Sequence, residues 1–191
     1  MSLSVSEKIT DSLINNGTIE TDDKELYLYG FQQGFFILLN FVTSIVIGLL
    51  LGMFWQSIIF TMTYLPLRTF AGGYHAKTPL RCYFSSILLI TVTLLTIKFV
   101  PWNIFICIIC TLASSLVVLI LAPVEDQNKP LDDTEKVVYR RKAQVILSAI
   151  VFMILLFSHI KIHFIVNTIV TSLSVLAIML IFGKIKNKLL K

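Results

Sequence analysis

From Phe31 to Leu67 the chain runs almost without a break through apolar residues. A helix of about 37 residues would extend roughly 55 Å at 1.5 Å each. One bilayer crossing takes only about 20 residues. The run must therefore fold back, and the reversal is expected near Leu51–Trp55. This gives a first membrane segment at 32–51 and a second, shorter one at 54–67. Gly48-x-x-x-Gly52 falls at the reversal; such spacing either lets two helices approach closely or marks a helix end.

The same pattern continues downstream. Tyr83–Val100 and Trp102–Ala122 form segments three and four, hinged at Pro101. Segments five and six are expected at 143–160 and 163–182, separated by Lys161. Only 14% of the chain is charged and 56% is hydrophobic, whereas soluble domains are about 25% charged. The fold class is all-α: a polytopic integral membrane protein with six transmembrane helices, because a spanning segment must satisfy its own backbone. The chain, 1–191, reads as a single membrane-embedded domain. Residues 1–30 are polar and lack the h-region and cleavage site of a secretory signal. Within them Ser4-x-x-Glu7 is a candidate capping box. Leu3, Ser6, Ile9 and Leu13 are helically spaced, so an amphipathic helix is expected to lie at the membrane interface. Asn15-Asn16-Gly17 would end it, and Thr21-Asp22-Asp23 would begin the next helix.

Charge sets the orientation. With both termini cytoplasmic, 14 of the 16 Lys and Arg residues fall inside, leaving only Lys98 and Lys161 outside. The reverse orientation breaks the positive-inside rule. The net charge of +5 is accounted for in this way, and no nucleic-acid partner is expected. The cytoplasmic loop 123–142 contains Arg140-Arg141-Lys142, an anchor for membrane lipids. Cys107 and Cys110 make a C-x-x-C inside an apolar run without polar partners, and are expected to pack. His159 and His163 flank a turn on the far side. No metal or cofactor is expected.

The connector at 68–82 reads RTFAGGYHAKTPLRC. It concentrates polar chemistry between two apolar runs, on the cytoplasmic face. Gly72-Gly73 frees the backbone. Thr78-Pro79 is a helix start, with Thr78 as N-cap and Pro79 in the first turn. Cys82 then sits in or just after that turn. A helix N-terminus and the cations Arg81 and Lys77 favour the thiolate. The glycine loop can fold back to bring His75 to the sulfur, making a Cys–His pair suited to acyl transfer. A non-enzymatic membrane transporter or exporter component is the alternative. The spans hold few ionisable groups of the kind that ion-coupled transport uses. A lipid-modifying enzyme would need a metal motif that the sequence does not offer.

The connector resembles the core motif of the accessory gene regulator B (AgrB) family, membrane cysteine endopeptidases of Gram-positive quorum sensing. Arginine, Gly-Gly, His and Cys occur in the family's order and at its His-to-Cys spacing, and Ala122–Leu131 (APVEDQNKPL) is similar to its polar loop. The resemblance implies cleavage of an AgrD-like precursor peptide and cyclisation to a thiolactone or lactone autoinducer. It makes Cys82 the nucleophile and His75 the general base, with Arg68, Gly72 and Gly73 at supporting positions. It allows a homodimer. For the oxyanion donor the candidates are the backbone N–H groups at the start of segment three, or Gln32 or Gln33. Glu125 or Asp126 could orient His75, with Lys129 beside them. Arg68 would either bind a substrate carboxylate or hold the loop.

Overall fold

The computed structural model describes residues 2–74, 79–125 and 131–189. Among these, the order is helix α1 (Ser2–Asn15), a short 3-10 turn (Thr21–Asp23), then α2 (Lys24–Leu50), α3 (Phe54–Ala71), α4 (Pro79–Phe99), α5 (Ile104–Leu121), α6 (Asp133–His159) and α7 (His163–Leu189). Five stretches are long and apolar enough to cross a membrane: Thr21–Leu50, Leu80–Phe99, Ile104–Leu121, Asp133–His159 and His163–Leu189. Large apolar side chains such as Leu112, Phe152 and Leu155 stand exposed on them. In a polytopic protein such residues face lipid, and the chain is a multi-pass membrane protein. Helix α3 spans 18 residues but includes Gln56, Thr61, Thr63 and Arg68, which lower its hydropathy.

The chain divides into two compact units, Met1–Thr43 and Ser44–Lys191. In the first, α1 ends at Gly17, whose φ of 69° suits a left-handed helix terminus. Its N–H donates to the Ile14 carbonyl, and the Thr18 N–H to that of Leu13. The Ser4-x-x-Glu7 box is not an N-terminus: the helix already runs from Ser2, so Ser4 lies within it. Buried Ser6 leaves the expected apolar stripe, while Val5 and Ile9 are exposed. Asp11 pairs with Lys24 at 2.7 Å.

In the second unit the expected reversal occurs at Leu51–Met53. The glycine pair there divides its labour. Gly52 takes φ 69° in the turn. Gly48 lies so close to Ser57 that a Cβ would be 2.3 Å from its Oγ. Ser44 and Thr61 hydroxyls hydrogen-bond at 2.9 Å one turn away, and Lys98 Nζ donates to the Leu51 carbonyl at 3.4 Å.

Helix α7 is the central post. It packs against α5, α3, α6 and α4. Of its apolar stretch 56% is buried, against 22% or less for the other four. The contact face uses small and hydroxylated residues, which let membrane helices approach and hydrogen-bond. Ser114 Oγ donates to Ser174 Oγ at 3.2 Å, and the Cys107 thiol to Asn167 Oδ1 at 3.6 Å. Cys107 is buried in the core and Cys110 packs against it, as the sequence suggested.

Three boundaries differ most from expectation, one of them the end of α7, which runs past 182 to Leu189. Helix α6 begins at Asp133, ten residues before the apolar segment, so the second half of the expected loop 123–142 is helical. Its cause is a local capping box: Asp132 Oδ1 accepts from the Glu135 N–H at 2.6 Å and the Asp132 N–H donates to Glu135 Oε2 at 3.2 Å. Likewise α3 continues past Leu67 to Ala71, absorbing Arg68.

Candidate active site

The connector is built from the end of α3 upward. Gly72, with φ 76°, stops the helix, and its N–H donates to the Arg68 carbonyl at 2.9 Å. The chain then lies beside the segment that leaves α5. The Val124 N–H donates to the Ala71 carbonyl at 2.9 Å, and Gly72 and Val124 form a parallel bridge. A Cβ on Gly72 would stand 2.1 Å from the Val124 carbonyl oxygen. Conformation and space therefore both require glycine here.

Gly73 has φ 128°, and a Cβ there would meet Arg68 Nη1 at 2.6 Å. From the other side comes α7. A Cβ on Gly183 would be 2.7 Å from the Gly73 carbonyl carbon and 2.9 Å from the Tyr74 nitrogen. The Tyr74 N–H donates to the Met179 carbonyl at 3.1 Å. Arg68 completes the frame: Nη1 donates to the Gly72 carbonyl at 3.3 Å and Nη2 to the Tyr74 carbonyl. Of the two roles open to Arg68, the structure displays loop holding. Its guanidinium also lies over the Tyr64 ring at 5.9 Å, and Lys186 Nζ lies 5.3 Å from the Tyr74 ring centre.

Cys82 is the fourth residue of α4, a free, half-buried cysteine. The first N–H groups of a helix have no acceptor within it, and this position places Cys82 in that opening turn. His75, Lys77, Thr78, Asp126 and Lys129 lie outside the described residues, so the Cys82–His75 pairing and the Thr78 cap lie there too. Pro79 does open α4 as expected.

The polar loop after α5 is tied down at Glu125. Its carboxylate pairs with Lys136 at 3.0 Å, and its carbonyl accepts from Asn187 Nδ2 at 2.6 Å. Gln33 is exposed on α2, in the first unit. His159 and His163 stand at the ends of α6 and α7. Among the described residues no cluster of three or more His, Cys, Asp or Glu side chains could hold a metal ion.

Sequence reasoning missed the residues of α7 that complete the frame: Met179, Gly183 and Asn187. Gly183 had a signal, a lone glycine in an apolar helix, which usually has a packing reason. Asn187 was hidden among lysines.

Comparison with known proteins gives one consistent result. The family model described as Accessory gene regulator B matches residues 6–184. AgrB-like protein 1 of Clostridium perfringens (strain 13 / Type A) is 29% identical over 147 residues, covering 77% of this chain and 78% of that protein. An AgrB-like protein of Listeria monocytogenes serotype 4a (strain HCC23) is 30% identical, covering 74% of this chain and 71% of its own. Another from Clostridium perfringens (strain SM101 / Type A) is 27% identical, covering 69% and 63%. No solved structure matches.

Proposed function

This chain belongs to the accessory gene regulator B family, and on that premise we propose that it is a membrane-embedded cysteine endopeptidase. It removes the C-terminal tail of an AgrD-like precursor and promotes closure of a thiolactone or lactone autoinducer. What carries the reading is the frame around the connector: Arg68, Gly72 and Gly73 fix its start against α7, while α4 holds Cys82 in its opening turns.

In this reading the Cys82 thiolate attacks the scissile carbonyl. Backbone N–H groups at the start of α4 stabilise the oxyanion. The tetrahedral adduct collapses as the C–N bond breaks. His75 gives its proton to the departing amine, and the tail leaves. The product is a thioester on Cys82. A thiol of the same peptide then attacks that carbonyl, the Cys82 thiolate departs, and a ring closes. One thioester replaces another, so the exchange is near thermoneutral, whereas hydrolysis runs strongly downhill. The site must exclude water and hold the peptide thiol close. A position at the bilayer edge supplies both conditions. The whole of 1–191 works as one peptidase domain in the cell membrane of a Gram-positive bacterium. It has six spans, α3 being the short one, with both termini and residues 68–82 cytoplasmic. The basic loops, Lys129 among them, attract the acidic tail of the precursor.

The test is co-expression with an epitope-tagged precursor. Cys82→Ala and His75→Ala each abolish cleavage while the protein still inserts; normal processing by either would sink the dyad. In a Cys107→Ala, Cys110→Ala background, a thiol reagent that cannot cross the membrane labels position 82 from the cytoplasmic side alone. Labelling from outside would reverse the topology.

A further inference from the structure

The end of α5 and the first turns of α6 enclose a cleft of about 280 Å³. Its apolar wall includes Ile120, Leu121 and Pro123 on one side and Val137 on the other, and the cations Lys136 and Arg140 complete the lining. Lys136 and Arg140 are four residues apart on α6, so they share one face of the helix.

The two cations differ in what they already hold. Lys136 Nζ pairs with Glu125 at 3.0 Å and with Asp133 at 3.5 Å, so those carboxylates face a cation and repel an anion less. Asp132 and Glu135 are engaged in the capping box of α6. Arg140 lies about 10 Å further along the axis from Asp133. Its Nη2 donates to the Leu119 carbonyl at 3.4 Å, which ties the guanidinium to the last turn of α5. A guanidinium carries five N–H groups in one plane, and such a fork matches two oxygens of one phosphate or carboxylate.

The apolar wall indicates what the anion is attached to. Ile120, Leu116 and Leu112 follow one another at four-residue steps along α5, and all three are exposed. The row extends about 12 Å along a membrane-spanning helix. An acyl chain would cover it, whereas an acidic peptide tail gains nothing from it. The cleft itself is just smaller than the roughly 300 Å³ at which small-molecule sites begin, which suits a headgroup.

We propose that this cleft binds an anionic phospholipid: Arg140, with Lys136 beside it, takes the phosphate, and an acyl chain lies along Ile120, Leu116 and Leu112. Basic pockets between spanning helices seat lipid headgroups in this way. The site does not depend on the peptidase reading.

The test places the full chain in a neutral detergent with phosphatidylglycerol and phosphatidylcholine at equal concentrations, and counts bound lipids by native mass spectrometry. The parent retains phosphatidylglycerol over phosphatidylcholine about tenfold, the ratio that one charge-assisted hydrogen bond supplies. Arg140→Ala brings that ratio within about twofold of unity. Arg141→Ala removes the same charge about 100° round the helix and keeps the ratio above about fivefold. Equal losses in the two variants would mean diffuse attraction to a basic helix and overturn the site, as would a parent without preference. Neither inorganic phosphate nor a soluble acidic peptide, each in large excess, displaces the lipid, because neither covers Leu116 and Leu112. Displacement by phosphate would make the cleft a free-anion site, and displacement by peptide a peptide site; either refutes the lipid. If Arg140→Ala fails to fold, Arg140→Gln decides: it keeps amide donors without the charge, and its ratio falls to about threefold or less. A parental ratio in that variant overturns the proposal.

Discussion

Replacing Gly183 by alanine adds a single carbon to α7, and its effect can be worked out from the packing. In a helix the change alone favours alanine by about 1 kcal/mol. Here the new Cβ would sit 2.7 Å from the Gly73 carbonyl carbon and 2.9 Å from the Tyr74 nitrogen. Both are backbone atoms, and neither can swing away as a side chain would. Gly72 is bridged to Val124, and Tyr74 is held by Met179 and Arg68. Overpacking of this kind costs about 1–3 kcal/mol. Moving the loop aside to relieve it gives up the Tyr74–Met179 hydrogen bond, about 1 kcal/mol. The helix gain offsets that last loss, leaving about 1–3 kcal/mol against the docked loop. Each 1.4 kcal/mol is about tenfold, so precursor cleavage by Gly183→Ala should fall roughly 10- to 100-fold. The core contacts of α7 lie on other residues, such as Leu173, Leu176 and Leu180. Thermal unfolding in detergent should therefore shift little. The control is Gly30→Ala, where a Cβ meets nothing within 4 Å and stability should hold or rise. Parental cleavage rates in Gly183→Ala, at equal expression, would refute the claim that α7 fixes the connector.

Other substitutions probe the rest of the frame. Arg68→Lys keeps the charge but cannot donate to the Gly72 and Tyr74 carbonyls from one planar group. Losing one charge-assisted bond costs about 1.5–3 kcal/mol, and gel-based cleavage should drop about tenfold or more. Asp132→Ala removes the α6 cap and should cost about 0.5–2 kcal/mol, seen as a lower melting temperature with the protein still inserted. Lys161 takes φ 63° in the turn between α6 and α7, a strain of about 1–2 kcal/mol for a residue with a Cβ. Lys161→Gly relieves it at an entropic cost of about 0.5–1 kcal/mol, so the melting temperature should rise slightly.

The apolar segments, the reversal at Leu51–Met53 and the α4 start at Pro79 were legible because each is local. They follow from run length, a glycine and a proline. Capping was legible in principle, yet Ser4-x-x-Glu7 misled and Asp132-x-x-Glu135 went unnoticed. The two motifs are chemically equivalent, and what separates them is whether a helix already precedes the first residue. The α7 frame could not be read from the chain. Gly73 and Gly183 are far apart in sequence, and no periodicity links them. Arg68 illustrates the middle ground: its presence in the motif was plain, but choosing between substrate binding and loop holding took the positions of two carbonyl groups.

The burial of α7 also bears on how the protein is made. The start of the connector leaves the ribosome early, but the α7 groups that Gly73 and Tyr74 lie against, Met179 and Gly183, are made after α3, α4, α5 and α6. Until that helix enters the membrane and finds its place among α3, α4, α5 and α6, Gly73 and Tyr74 have nothing to rest against on that side. A nascent chain would thus carry Cys82 without that part of the frame until α7 is made. On the reading proposed here, competence to cut peptide would arrive only with insertion of α7.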